Sequence, residues 1–114
     1  MVDVNNKDTI IAKKILSEID DICEFIEEMT EEDFYGCVKT QKAVVMSLIN
    51  IGELSKSFSE GFINANAEVP WKKVQAMRNV AAHKYETVDM QIVWDTIQIS
   101  IEELRTKLVV PQDV

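Results

Sequence analysis

Residues 43–54 are apolar on nearly every side of a helix, and this stretch limits the fold more than any other. A helix that is apolar all round is stable only where other helices cover it. The helix predicted over residues 38–58 therefore belongs in the middle of a bundle. Its exceptions, Ser47, Asn50 and Glu53, fall three apart and so lie along one side. They form either a narrow solvent-facing edge or part of the lining of a pocket. Gly52 costs about 1 kcal/mol of helix propensity relative to alanine, a tolerable cost if another backbone passes close by.

The flanking segments supply the cover. Over residues 8–29, Ile11, Ile15, Ile19, Ile22, Ile26 and Met29 recur every three or four positions, the period of an amphipathic helix. Its other face, with Lys13, Lys14, Glu18, Asp21, Glu24 and Glu28, reads as solvated. Thr30 followed by Glu31, Glu32 and Asp33 is an N-cap with acids in the first turn, and Gly36 marks a joint. Residues 59–69 show no sustained period and read as the main loop. Pro70 then fits the first turn of a third helix, running from Trp71 through at least Val80 and burying Val74, Met77 and Ala81. Asp89 caps a last helix in which Met90, Val93, Ile97, Ile101, Leu104 and Leu108 keep the helical period until Pro111 stops it. Nothing alternates like a strand. The class is all-α, a helical bundle of four main helices plus a short one.

At 114 residues, residues 1–114 make one domain able to bury its own core. No apolar run approaches the roughly 18 residues that span a bilayer, and the polar N-terminus lacks the core of a signal peptide. A cytoplasmic protein with no membrane association is expected. Cys23 and Cys37, without a close-spaced partner, read as buried reduced thiols. The net charge of −8 argues against a general electrostatic grip on nucleic acid. Yet residues 67–88 carry Lys72, Lys73, Arg78 and Lys84 against Glu68 and Glu86. That is either a local basic patch that holds a phosphodiester or an ordinary solvated face.

The same region holds the chain's one histidine. Arg78, His83 and Tyr85 fall within eight residues: a fork that grips phosphate without losing its charge, a side chain that gives or takes a proton near neutral pH, and a phenol. On an unbroken helix, residues five apart differ by about 140° around the axis, so Arg78 and His83 would not share a face, whereas Asn79 and His83 would. The site is complete only if the helix ends before His83 or a second copy supplies the rest across a two-fold axis. Trp71, Met77 and Met46 suit either such an interface or the core.

Taken together, Asn50-Ile51-Gly52-Glu53, Pro70-Trp71, Met77-Arg78-Asn79 with His83 and Tyr85, then Val88-Asp89 and Val93-Trp94 resemble the HepT family of HEPN-domain toxins over residues 8–108. The resemblance implies a HEPN-type bundle, a homodimer, and a metal-independent RNA endonuclease silenced by an MNT-type nucleotidyltransferase antitoxin. It makes Arg78 and His83 the catalytic pair, Asn79 the polar residue that follows the arginine, and Tyr85 the residue that the antitoxin adenylylates. Glu53 and Asn50 match family positions and are expected to support the site, with Lys72, Lys73 and Lys84 on the RNA. No metal or cofactor is implied.

The side-chain chemistry agrees with that reading. When a ribose 2′-hydroxyl attacks its own phosphate, the protein must accept a proton, donate one and hold a growing negative charge; His83 suits the first two tasks and Arg78 the third. The competing expectation is a non-catalytic HEPN bundle that binds nucleotide or serves as the substrate-binding partner of a nucleotidyltransferase. A purely structural role for His83 is the plainest alternative.

Overall fold

The computed structural model describes residues 6–81 and 88–108, with the side chains of all but Val80 and Ala81. All its regular structure among these residues is helical.

Helix α1, Asn6–Phe25, buries Ile11, Ile15, Ile19 and Ile22 on the expected stripe. Ile26 and Met29 lie beyond its end and are half-buried. The chain turns there through Glu28, whose φ of 64° is left-handed. Thr30 then caps α2, Glu31–Tyr35, with a reciprocal box in which the Thr30 hydroxyl accepts from Asp33 N and Asp33 accepts from Thr30 N, both at 3.1 Å. Such a box satisfies two donors that a helix start otherwise leaves open. Phe34 of α2 is fully buried, its ring centroid 5.3 Å from that of Trp94.

Helix α3, Val38–Ser55, is the central element. It buries Val44, Val45, Leu48 and Ile51 and packs against α1 on one side and the segment around Met77 on another. Buried Gln41 donates to Phe34 O and Tyr35 O, each at 3.0 Å, covering carbonyls at the end of α2. Ser47 is also buried, Asn50 is half-buried and Glu53 is exposed. The polar stripe therefore runs from the core out to solvent. Met46 is 57% exposed and takes no part in the core.

The stretch expected to be the main loop contains a helix. Ser59 caps α4, Glu60–Ala65, by accepting from Phe62 N at 3.2 Å, and Phe62 is fully buried against Phe58, with ring centroids 4.3 Å apart. Buried Asp8 fixes this helix start to α1: its carboxylate accepts from Ser59 N at 2.8 Å and Ser59 Oγ at 2.6 Å. Pro70 stands at the N-cap of α5, Trp71–Ala76, one position earlier than expected. Trp71 Nε1 donates to Asn66 O at 3.0 Å. After Ala76 the winding tightens into a 3₁₀ segment, Met77–Ala81.

Asp89 caps α6, Met90–Asp95, by accepting from Gln91 N and Ile92 N. The helix widens to a π segment over Thr96–Ser100 and continues as α7, Ile101–Lys107. Val93, Ile97, Ile101, Leu104 and Leu108 are buried as the spacing requires. The proposed stop at Pro111 lies outside the described residues, and the described helix already ends at Lys107.

The expectation of buried thiols does not hold. Cys23 is free and exposed, its Sγ accepting from Arg105 Nη2 at 2.8 Å, because it sits off the isoleucine stripe of α1. Cys37 is free and half-buried; hydrogen bonding to Thr40 holds its thiol below the ordinary value. Among the described residues no helix is long and apolar enough to cross a membrane.

Candidate functional site

Two adjacent elements create the candidate site: the last turns of α3 and the 3₁₀ segment that follows α5. They touch backbone to side-chainless backbone. A Cβ placed on Gly52 would stand 2.6 Å from Arg78 N and 2.9 Å from Arg78 Cβ, so only glycine lets the segment carrying Arg78 approach this closely. The next residue completes the arrangement, since Glu53 Oε1 accepts from Arg78 Nη1 at 2.9 Å. Both side chains are about half exposed, 41% for the arginine and 54% for the glutamate. Solvent screens such a pair, which contributes at most about 1 kcal/mol. Its consequence is orientation rather than stability.

Arg78 and Asn79 line an open cleft of about 330 Å³ together with Lys56, Lys72 and Gln75. Three cations around one depression make a local site for an anion on an acidic chain. A guanidinium offers up to five N–H donors in a fixed plane, a geometry matched to phosphate oxygens.

Glu53 itself lines a larger groove of about 580 Å³, together with Lys14, Ser17 and Glu18 of α1 and Asn50, Leu54 and Ser57 of α3 and its end. Asn50 Nδ2 donates to Glu18 Oε2 across it at 3.4 Å. Glu53 thus lines the groove and, through its bond to Arg78, links it to the cleft that Arg78 lines.

Of the expected site residues, Arg78, Asn79, Glu53 and Lys72 come together here. Asn50 lines the groove beside Glu53 and donates to Glu18. Lys73, although adjacent to Lys72 in sequence, lines a separate hollow with Met77, Ile92 and Thr96; neighbouring helical positions point about 100° apart. His83, Lys84 and Tyr85 lie outside the described residues. The α-helix ends at Ala76 and the winding continues as a 3₁₀ segment through Ala81, so the relation of His83 to Arg78 lies outside the described residues.

Lys56, Gln75, Lys14, Ser17 and Glu18 were not singled out in the sequence. A signal existed for Lys56, which continues the three-residue series of Ser47, Asn50 and Glu53. Lys14 and Glu18 belong to the face of α1 that the sequence marks as solvated, and their facing of Asn50 depends on how α1 and α3 pack. Among the described residues no group of three or more His, Cys, Asp or Glu side chains is placed to hold a metal ion.

Comparison with known proteins places this geometry in context. Residues 15–110 match the family described as ribonuclease HepT-like. A protein of Methanocaldococcus jannaschii provisionally named an RNase is 41% identical over 73% of this chain and 69% of its own length. One from Thermococcus cleftensis, named probable ribonuclease HepT, is 37% identical over 83% of this chain and 90% of its own. A third, from Caldanaerobacter subterraneus subsp. tengcongensis and provisionally named an RNase, is 34% identical over 82% of this chain and 84% of its own. No solved structure matches the chain.

Proposed function

The chain belongs to the HepT-like ribonuclease family, and on that footing we propose that it is a metal-independent endoribonuclease toxin whose working site combines Arg78 and His83. The observation that carries this reading is the Glu53–Arg78 pair at 2.9 Å, which presents the guanidinium beside Lys56 and Lys72 at an open cleft. The ribose 2′-oxygen attacks the adjacent phosphorus, the bond from phosphorus to the 5′-oxygen breaks, and a 2′,3′-cyclic phosphate and a 5′-hydroxyl result. His83 accepts the 2′-hydroxyl proton. The histidine of a second copy returns a proton to the leaving 5′-oxygen, and Arg78 holds the non-bridging oxygens as their charge grows. Lys72 and Lys84 contact flanking phosphates, with Lys73 on a neighbouring surface, and Asn79 orients the phosphate beside Arg78.

A homodimer follows from this division of labour. Exposed Ile92 and Ile99, at 58% and 68%, are apolar side chains of the sort that a partner copy covers. The antitoxin partner in this reading is an MNT-type nucleotidyltransferase that adenylylates Tyr85. The added nucleotide sets a phosphate anion against the cations of the site and excludes RNA by charge and bulk.

The test uses purified protein whose Tyr85 is shown unmodified by intact mass, incubated with total RNA in EDTA beside His83→Ala and Arg78→Ala variants of confirmed helicity. Cleavage by the wild type that both variants lose supports the proposal. A folded, unmodified protein that leaves RNA intact instead supports a non-catalytic HEPN bundle that binds nucleotide. Cleavage that persists in both variants overturns the assignment of these two residues.

A further inference from the structure

The groove between α1 and α3 has no part in the chemistry described above, yet it shares Glu53 with it. At about 580 Å³ it falls within the roughly 300–1,000 Å³ of clefts that take small organic groups. Its lining is mixed: Ser17, Ser57 and Asn50 offer hydrogen bonds, Leu54 an apolar wall, Lys14 a cation, and Glu18 and Glu53 carboxylates. Two carboxylates beside one lysine make it a poor place for a phosphate. The phosphate-binding character lies in the cleft of Arg78, Lys56 and Lys72, which Glu53 joins through its bond to Arg78. A ligand that spans both depressions therefore places its anionic part by Arg78 and a neutral, hydrogen-bonding part in the groove. A nucleotide is built that way.

We propose that the groove is a nucleobase subsite for the nucleotide beside the scissile phosphate, and that it favours a base with an amino group on its pairing edge over uracil. The inference rests on the nuclease reading above for the position of that phosphate. Single-stranded RNA exposes the pairing edges of its bases to side chains. Asn50 Nδ2 bonds to Glu18 Oε2 and so positions an acceptor in the groove. A carboxylate accepts from the amino groups of adenine, cytosine or guanine, as acidic side chains do from cytosine in base recognition. Uracil has no amino group and offers a carboxylate only its N3–H, flanked by two carbonyl oxygens, so it is held more weakly. Glu18 is the specificity-determining residue in this scheme, and Asn50 is a positioning residue acting through it.

The experiment measures binding of short 2′-O-methyl oligonucleotides of A, C, G or U, which have no free 2′-hydroxyl to attack, to wild type, Glu18→Gln and Asn50→Ala, alongside cleavage of ordinary RNA and sequencing of the cut ends. The wild type is expected to bind the U oligomer roughly tenfold more weakly than those with amino groups, about what one well-placed base contact provides. Both variants, folded by circular dichroism, should narrow that ratio to about twofold and make the base at the cut site less selective. Wild type that fails to discriminate, or a ratio unchanged in Glu18→Gln, overturns the subsite. Discrimination without cleavage leaves the subsite standing and removes the nuclease reading; cleavage without discrimination does the reverse.

Discussion

Gly52 and Arg78 meet so closely that a single added carbon on the glycine would lie 2.6 Å from the arginine's backbone nitrogen. No glycine in the described residues has a positive φ, so space rather than backbone freedom requires glycine here. Gly52→Ala gains about 1 kcal/mol of helix propensity but forces α3 and the 3₁₀ segment apart, at a cost of about 1–3 kcal/mol for an overpacked contact. Net destabilisation is expected, together with loss of RNA cleavage as Arg78 shifts. Urea unfolding measures the first effect. A variant as stable as the wild type would show that the two backbones separate freely.

Glu53→Gln separates orientation from stability. The pair is exposed, so its loss should change unfolding free energy by less than about 1 kcal/mol. A guanidinium released from its partner no longer holds one position over the cleft, and misplacement by about 1 Å can cost on the order of a hundredfold in rate. Cleavage should therefore fall at least tenfold at saturating RNA while the melting temperature barely moves. A rate within twofold of wild type would mean that Glu53 does not position Arg78.

The Asp8–Ser59 contact joins the starts of two helices 51 positions apart. Asp8 is fully buried, and hydrogen bonds to a charged group contribute about 1.5–3 kcal/mol each. Asp8→Ala should cost about 3 kcal/mol. Ser59→Ala should cost about 2 kcal/mol, because its hydroxyl both donates to Asp8 and caps Phe62 N. The two losses are expected to overlap by at least 1 kcal/mol in the double variant; simple additivity in a denaturation cycle would contradict direct coupling.

What was legible in the sequence follows the length of each signal. Helices α1 and α3 and the run from Met90 repeat their apolar residues over many turns, and each was placed from that period. Helix α4 spans six residues, fewer than two turns, and among them only Phe62 is buried. Ser59 caps it, but no periodic apolar run follows to mark a helix. The spacing also put Asn50 and Glu53 on one side of α3, while their partners, Glu18 and Arg78, stand 32 and 25 positions away. Such pairings follow from packing. The backbone that passes Gly52 is likewise that of the 3₁₀ segment Met77–Ala81, a partner that a local pattern does not name.

Tyr35 provides a pH-dependent test on a part of the fold remote from these pairings. Its hydroxyl donates to Glu31 Oε2 at 2.7 Å, and that bond, followed by partial desolvation and the negative charges of Glu31, Asp95 and Asp89, pushes the phenol from its ordinary 10 up to about 12. Folding thus favours the protonated phenol. The stabilisation is fully present below pH 10 and disappears as pH rises through about 12, since the unfolded chain sheds this proton first. Exposure of the pair keeps the effect small and sensitive to salt. In a Tyr85→Phe background Tyr35 is the only tyrosine left, so phenolate absorbance follows it directly. Glu31→Gln should bring the midpoint down toward 10 while the protein stays helical, and a midpoint that does not move would show that Glu31 is not the acceptor.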